Sequence, residues 1–588
     1  MMFFEELLHA YDMFEKNGEV SVVWDFSGKV HFGLDIDADG KLNQIITYMQ
    51  DKKPQLMRVP AKVKKDTSGV CYKYIYGNTK YMLGYEVKKQ KGKTKREFRE
   101  LVDSFEITKT FHEKLLEGIN TPVADAIRLY FSYYSAHHNE LLEMVDWENH
   151  KEYDASYFII CYNGVPVTKY PEIIQAWERY FPTLLSAESE VVRTSLVSGK
   201  KGPIQRTHNA IQGAGGTNPP IVSFNADSFK SYNLEQSYNA AFTVEESLKY
   251  ASALNYMLIN DDYHYYLNGM RIVLWSANTN PIYSQIGKAM FLNDKTCKLT
   301  QEELLTCVEK IVHGKRVDIN GTDIDLEEKF FIAGIQPNGG RLQLTIWLEN
   351  SFGRFVKNIN EHYDRMRIVN DEDRVLSPYQ IVCESVRSIE HCDKKIKTIL
   401  LKSILTNSNY PSQIYNGLLE RVRKGPKEPV KTKVTTGKAQ VLKMFLNKNR
   451  KPTEEEITMG LNKESTSVGY QCGRMFAVAE KVQKDATKAK VKNLAVRYFN
   501  SAMATPANAF SIIMRLNQCY MKKFNDEGVK VYYDKLFSEI NGKIDDFPKH
   551  LSQTEQGRFC LGYYHQKEDL YKAKGGTGTK KSEDINVE

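Results

Sequence analysis

The chain has 588 residues, a formal net charge of +8, 41% hydrophobic and 26% charged residues, a composition that excludes a disordered or fibrous chain and leaves room for roughly two to four domains. No apolar run reaches the ~20 residues a membrane helix needs, and acids after the first apolar residues argue against a secretory signal. Nine single cysteines with no CxxC pair argue for reduced, mostly buried thiols in a cytoplasmic protein rather than a disulfide frame or a zinc site.

The first expected element is a helix over 2–16, where Phe3, Leu7, Leu8, Tyr11 and Phe14 recur at helical spacing until Asn17-Gly18 stops them. Strands follow. VSVVWDF (20–26) and VHFGLDI (30–36) flank SGK as a turn, and DADG leads into KLNQIITYM. Asp35, Asp37, Asp39 and Gly40 occupy the spacing of a calcium loop, but its last ligand position holds Ile46, so the reading is a hairpin turn. GVCYKYIYGNTKYMLGYEV (69–87) reads as an aromatic hairpin centred on Gly77-Asn78, with the lysine run after it on a loop.

Residues 105–150 read as helical, YFIICYNG (157–164) as a buried strand and 198–220 as a Gly- and Pro-rich loop. In IVSFNADSFKSYNLEQSYNAAFTVEESLKYASALNYML (221–258) a polar run precedes a helix opened by the capping box Thr243-x-x-Glu246. RIVLWS, KFFIAGIQ and RLQLTIWL are strands, and FGRFVKNINEHYDRM starts a helix. Beyond about 380 helical periodicity takes over. The expected fold class is α+β: a mixed region with hairpins and sheet over 1–380, a helical bundle over 381–572 and a disordered tail over 573–588.

Three segments concentrate positive charge: 88–99, 421–451 and 481–497 carry seven, eleven and six basic residues against one acid each. Separated basic segments suit a polyanion lying along the molecule, or equally a set of solvated faces. No phosphate loop, dinucleotide fingerprint or nucleophile elbow is present. His137-His138 reads as a surface pair, and His391-Cys392-Asp393 lacks a further ligand at zinc spacing. The polar run after Ile221 can cap helices, or it can read base edges and phosphates without adding charge.

Several ordered blocks resemble one family, the large subunit of the type I-C CRISPR surveillance complex, Cascade. They are IVSFNADSFKSYNLEQSYNA with YASALNYML, FFIAGIQPNGGRLQLTIW (330–347), GYQCGRMFAVAEKVQKDA (469–486), VRYFNSAMATPANAF (496–510), LGYYHQ (561–566) and YGNTKYMLGY (76–85). Gly339-Gly340 stands where the family often has alanines, and loop 202–217 is longer than usual. The resemblance implies a non-catalytic subunit without a cofactor. It implies a reader of the short flanking duplex motif (the PAM) that helps unwind target double-stranded DNA, holds the displaced strand and recruits the helicase–nuclease in antiviral defence. It implies contact with the guide RNA 5′ handle and with the backbone and handle-processing subunits. It also implies a small subunit made from the C-terminal part, for which Met444 and Met459 are the candidate starts.

On that reading Asn78, Lys80 and Tyr81, with Lys88, Lys89, Lys91, Lys93, Lys95 and Arg96, form the expected duplex-reading set: an amide to read the groove and cations to hold phosphates. A second set is Lys200, Lys201, Ser223, Asn225, Ser231, Tyr232, Gln236 and Asn239. The displaced strand would follow Arg474, Lys481, Lys484, Lys488, Lys490 and Arg497, with Tyr470 and Tyr498 as stacking platforms or as core residues. A metal-dependent nuclease and a protein-only scaffold are the rival readings.

Overall fold

The computed structural model describes residues 2–51, 53–61, 73–89, 96–154, 156–187, 189–215, 218–224, 226–267, 269–292, 317–319, 322–369, 376–387, 394–425, 433–487 and 493–572. Lys91, Lys93, Lys95, Asn225, His391-Cys392-Asp393, Lys488, Lys490 and the tail expected over 573–588 lie outside them. The fold is α+β, with sheets in the N-terminal part and mostly helices in the C-terminal half. The chain divides into two units, Met1–Ser284 with Phe331–Leu348 and Gln285–Phe330 with Glu349–Glu588. The change to helical periodicity read near 380 falls inside the second unit.

In the first unit, Phe32–Ile36 and Leu42–Thr47 pair antiparallel. The Asp37 carboxylate closes their turn by accepting from the Asp39 and Lys41 amides at 3.0 and 2.8 Å, so the calcium-like spacing is an Asx turn. Tyr157–Tyr162 lies parallel to Phe32–Ile36 on its other edge. A parallel pair needs a crossover, and the helices Val102–Leu115, Pro122–Ala136 and His138–Val145 supply it. Leu34, Ile36, Ile127, Tyr130 and Phe158 pack the core between them.

Two expected turns and one surface histidine are corrected here. SGK lies inside a strand, Trp24–Val30, which pairs with Lys53–Pro60 and absorbs the irregularity as a shift of register between Asp25 and Gly28. Gly77-Asn78 is not a hairpin tip: Tyr76–Asn78 pairs with Tyr157–Tyr162, and a short helix Thr79–Met82 follows. The chain enters that strand through Ile75 at φ 49°, a conformation costly for a β-branched residue. It is held there by the Ile75 amide donating to His112 Nε2 at 2.9 Å. The true hairpin is Tyr85–Lys89 with Arg96–Glu100. His138 is buried rather than surface-exposed, bonding Glu100 Oε1 at 2.6 Å and the Leu83 carbonyl at 3.1 Å.

A second sheet runs in the order His264–Leu267, Met270–Ser276, Lys329–Asn338, Arg341–Ser351. Its core is formed with the helices Met2–Lys16 and Val244–Ile259 through Phe3, Leu7, Leu254, Trp275 and Phe331. The capping box is formed as expected: the Glu246 amide donates to Thr243 Oγ1 at 3.2 Å and the Thr243 amide to Glu246 Oε2 at 2.8 Å.

The second unit is organised around two helices, Val468–Thr487 and Gln553–Tyr571. Every residue from Gly469 to Glu480 and from Gln556 to Gln566 is buried. The helices Leu494–Ala504, Pro506–Met521 and Glu527–Asn541 cover the first and Thr436–Asn449 covers the second, and glycines let the two backbones approach closely. A Cβ at Gly473 would overlap the Phe559 carbonyl, and one at Gly562 would overlap the Tyr470 carbonyl. Polar side chains caught in the seam satisfy one another: Tyr563 Oη donates to Glu480 Oε2 at 2.6 Å, and Ser467 Oγ donates to Glu555 Oε2 at 2.6 Å.

Candidate nucleic-acid interface

The polar run that follows Ile221 folds into a braced turn. Ser231 and Leu234 form an isolated antiparallel bridge closed by the Leu234 amide donating to the Ser231 carbonyl at 2.9 Å. The two residues between them, Tyr232 and Asn233, have φ of 50° and 59°, the signature of a primed hairpin turn. Asn tolerates that region; tyrosine pays about 1 kcal/mol or more to enter it. Asn239 braces the turn, accepting from the Ser231 amide at 2.9 Å and donating to the Leu234 and Gln236 carbonyls at 2.8 Å each. The Tyr232 side chain at the apex is 95% exposed.

A basic hairpin stands beside this turn. Val192–Thr194 pairs with Lys201–Pro203. Ser195 Oγ fixes its loop by donating to Glu246 Oε2 at 2.6 Å, and the Leu196 amide donates to the Ala241 carbonyl at 2.8 Å. Arg206 Nε donates to Gln236 Oε1 at 2.9 Å, the Ser237 amide to the Arg206 carbonyl at 3.1 Å, and Arg193 Nη1 reaches the Tyr238 carbonyl at 3.5 Å. Arg341, from the block that follows Pro337-Asn338, lies over the Phe229 ring at 4.1 Å. Arg193, Lys200, Lys201 and Arg206 are exposed, and among the described residues none of the four makes an ion pair. Lys230, by contrast, is held by Asp227 at 2.9 Å and Glu235 at 3.7 Å.

The structure therefore joins Lys200, Lys201, Ser231, Tyr232, Gln236 and Asn239 in one hydrogen-bonded region and adds Arg193 and Arg206. Gln236 and Asn239, expected to face a ligand, instead spend their amides on Arg206 and on the turn. Ser223 is half-buried upstream of the turn. Arg193 and Arg206 were invisible as a pair in the sequence because neither sits in a charge run; only the pairing of 192–194 with 201–203 brings them together.

In the expected duplex-reading set, Asn78 ends its strand with Oδ1 buried and without a hydrogen-bond partner, so it does not present an amide from a hairpin tip. Lys80 is half-buried and lies over the Tyr81 ring at 5.3 Å. Lys88, Lys89 and Arg96 occupy backbone positions at the end of the Tyr85–Lys89 and Arg96–Glu100 hairpin, with Lys89 opposite Arg96.

In the second unit two members of the expected strand path are internal. Tyr470 is 2% exposed; its hydroxyl pairs with His565 Nδ1 at 2.8 Å and accepts from the Asn462 amide at 3.1 Å. Burial, then the Lys443 charge, drives the His565 imidazole down to about 3, so it is neutral in that pair. Arg474 is fully buried and donates to Gln566 Oε1 at 2.9 Å, Gln471 Oε1 at 2.9 Å and Glu539 Oε1 at 2.7 Å. Neither side chain can reach a nucleic acid in this fold. Lys481 is bound to Asp485 at 2.5 Å. Lys481 and Lys484 both lie over the ring of Tyr571, at 5.2 and 4.9 Å, and that tyrosine is 41% exposed. Arg497 is exposed and Tyr498 half-buried.

Several described cations of the basic segment 421–451 serve the fold. Arg421 Nη1 donates to the Cys383 and Val386 carbonyls at 2.6 and 2.5 Å, at the end of the helix Pro378–Ser385. Lys443 Nζ donates to the Asp364 and Arg365 carbonyls at 3.4 and 3.2 Å, in the last turn of the helix Phe352–Met366. Lys438 Nζ donates to the Lys433 carbonyl at 3.0 Å. Arg421 and Lys443, at helix C-termini, satisfy orphan carbonyls and the negative end of the dipole. Burial lowers the ammonium pKa of Lys433, Lys438 and Lys443, as it does for any cation taken from water.

Among the described residues no cluster of three or more His, Cys, Asp or Glu side chains is placed to hold a metal ion, and no helix is long and apolar enough to cross a membrane. The model of one protein family, described as CRISPR-associated protein (Cas_Csd1), matches residues 7–571. No curated protein matches the chain.

Proposed function

The chain belongs to the CRISPR-associated Csd1 family, the large subunit of type I-C Cascade, and from that premise we propose that it is a non-catalytic reader of duplex DNA. In this reading it recognises the flanking motif, helps open the target for the guide RNA, holds the displaced strand and offers a surface to the helicase–nuclease. The observation that carries the reading is the strained turn that lifts Tyr232 into solvent beside Arg193, Lys200, Lys201 and Arg206. Backbone strain persists where surrounding structure enforces it, and such sites are commonly functional. Cations anchor phosphates regardless of sequence, while an aromatic face stacks on any base freed from its pair. The hairpin Tyr85–Lys89 with Arg96–Glu100 is assigned to further phosphate anchoring.

Tyr232→Ala is expected to weaken binding of the guide-loaded complex to target duplex by ~1–3 kcal/mol, the value of one base stacked on an aromatic ring, while Tyr232→Phe keeps most of it. Binding measured across a library of flanking motifs tests this; equal affinities for the alanine and parent complexes would sink the assignment.

For the displaced strand, Lys484, Arg497 and the exposed ring of Tyr571 take the place of the buried Tyr470 and Arg474. The second unit also bears on a separately made small subunit. Met444 is buried in the middle of the helix Thr436–Asn449, so a start there would cut an internal helix in two. Met459 is 42% exposed and precedes the helix Val468–Thr487, so a start there would keep both members of the glycine seam whole. With a C-terminal tag on the parent gene, Met459→Ala is expected to abolish a short product and Met444→Ala to leave it; the opposite pattern, or no short product, rejects this start.

A further inference from the structure

One hairpin of the first unit carries polar side chains on the face that its core does not use. The strands Lys329–Asn338 and Arg341–Ser351 are neighbours in the second sheet. Gly339 and Gly340, at φ 55° and 82°, join them in a primed two-residue turn. The tip is slim: residues 337–340 are exposed, and its last two have no side chain. Side chains alternate along a strand. Ile335, Leu342 and Leu344 pack into the core, so Asn338, Arg341 and Gln343 share the opposite face. Asn338 Nδ2 donates to Gln343 Oε1 at 3.4 Å, and both residues are exposed. Joined in this way, the two amides still offer an acceptor, Asn338 Oδ1, and a donor, Gln343 Nε2. Beside them the Arg341 guanidinium lies over the Phe229 ring at 4.1 Å, and Phe229 stands three residues before Tyr232 in the chain. On the core side the tip is backed by the glycine-rich loop, where a Cβ at Gly215 would stand 3.3 Å from the Pro337 ring. No acidic residue occurs between Phe330 and Leu348.

We infer that this hairpin is the element that reads base edges in the flanking duplex, with Asn338, Arg341 and Gln343 as its specificity-determining residues; the inference rests on the reading of the chain as a duplex reader. A two-stranded ribbon is a shape that enters a DNA groove. A paired donor and acceptor match one base edge, and an arginine fork matches paired acceptors on another. Stacking on Phe229 holds that fork ready. The three residues complement Arg193, Lys200, Lys201 and Arg206 in kind: cations that grip phosphates hold any sequence, whereas contacts to base edges tell sequences apart. A protein partner is disfavoured, because the tip from Pro337 to Arg341 carries no large apolar or aromatic side chain to anchor one.

Binding of the guide-loaded complex to target duplexes that differ only in the flanking motif tests it. Asn338→Ala, Gln343→Ala and Arg341→Lys are each expected to narrow the affinity ratio between the best and the poorest motif about tenfold, the worth of one base-edge contact. Affinity for the poorest motif should stay within about twofold of the parent's, since the phosphate contacts remain. Arg341→Lys keeps the charge and loses the fork, so its salt slope should be the parent's. Gln343→Glu, of the same size, takes the place of Gln343→Ala should the alanine variant fail to assemble. The parent's ratio kept in all three variants, or a loss equal across motifs, would overturn the proposal. A parent complex indifferent to the flanking motif would defeat the duplex-reader premise itself, and the proposal with it.

Discussion

Replacing Arg193, Lys200, Lys201 and Arg206 together with alanine is expected to cost the guide-loaded complex most of its non-sequence-specific hold on duplex DNA. Each neutralised phosphate releases close to one condensed counterion, so four lost contacts should flatten the plot of log affinity against log salt by roughly 3–4. If the parent and variant lines meet near 1 M salt, where counterion release no longer drives binding, they stand on the order of a thousandfold apart at about 0.15 M. The loss should be the same for good and poor flanking motifs, and the change in salt slope separates it from the effect of the uncharged Tyr232. A variant with an unchanged salt slope would place the DNA elsewhere on the molecule.

The second large effect is on stability. Gly473→Ala and Gly562→Ala each insert a methyl group against a carbonyl of the facing helix. Alanine is the better helix former by about 1 kcal/mol, but overpacking costs about 1–3 kcal/mol and sometimes more. Here the obstacle is backbone rather than a side chain that can swing away, so the steric term wins. Each variant is expected to lose about 2–3 kcal/mol of stability in the helical unit. The pair should lose less than the sum, since one separation of the helices relieves both contacts. Urea unfolding followed by helical signal would show it; a midpoint equal to or above the parent's would contradict the close approach.

What could be read from the sequence was what is decided locally. The Thr243–Glu246 capping box, the Asp37 turn and the helix over 2–16 depend on a few neighbouring residues, and each is found where its pattern placed it. Gly77-Asn78 misled because its pairing partner, Tyr157–Tyr162, is remote in the chain and a turn-forming dipeptide can end a strand as easily as it can close one. Tyr470 and Arg474 misled for a different reason. A helix enclosed on every side has no polar face, so the position of an arginine along it says nothing of solvent, and only the partners Gln471, Glu539 and Gln566 reveal the role. The strained turn at Tyr232 carries no glycine between Ser231 and Leu234, only Asn233, so its turn signal was weak. The blocks that resemble the family in the helical part, around 469–486 and 561–566, are the two faces of one seam, which accounts for their matched character without any ligand.

The buried lysines bonded to backbone carbonyls also change what the formal charge of +8 means. Lys438 and Lys443 are counted at full value in any isoelectric figure, yet each sits against the partial negative charge of backbone carbonyls and is shut off from solvent. Such cations keep their unit charge but cannot reach a phosphate. The cations free to anchor a phosphate are therefore the smaller number that reach the surface, and the formal charge alone overstates the contacts a polyanion could make with the native chain.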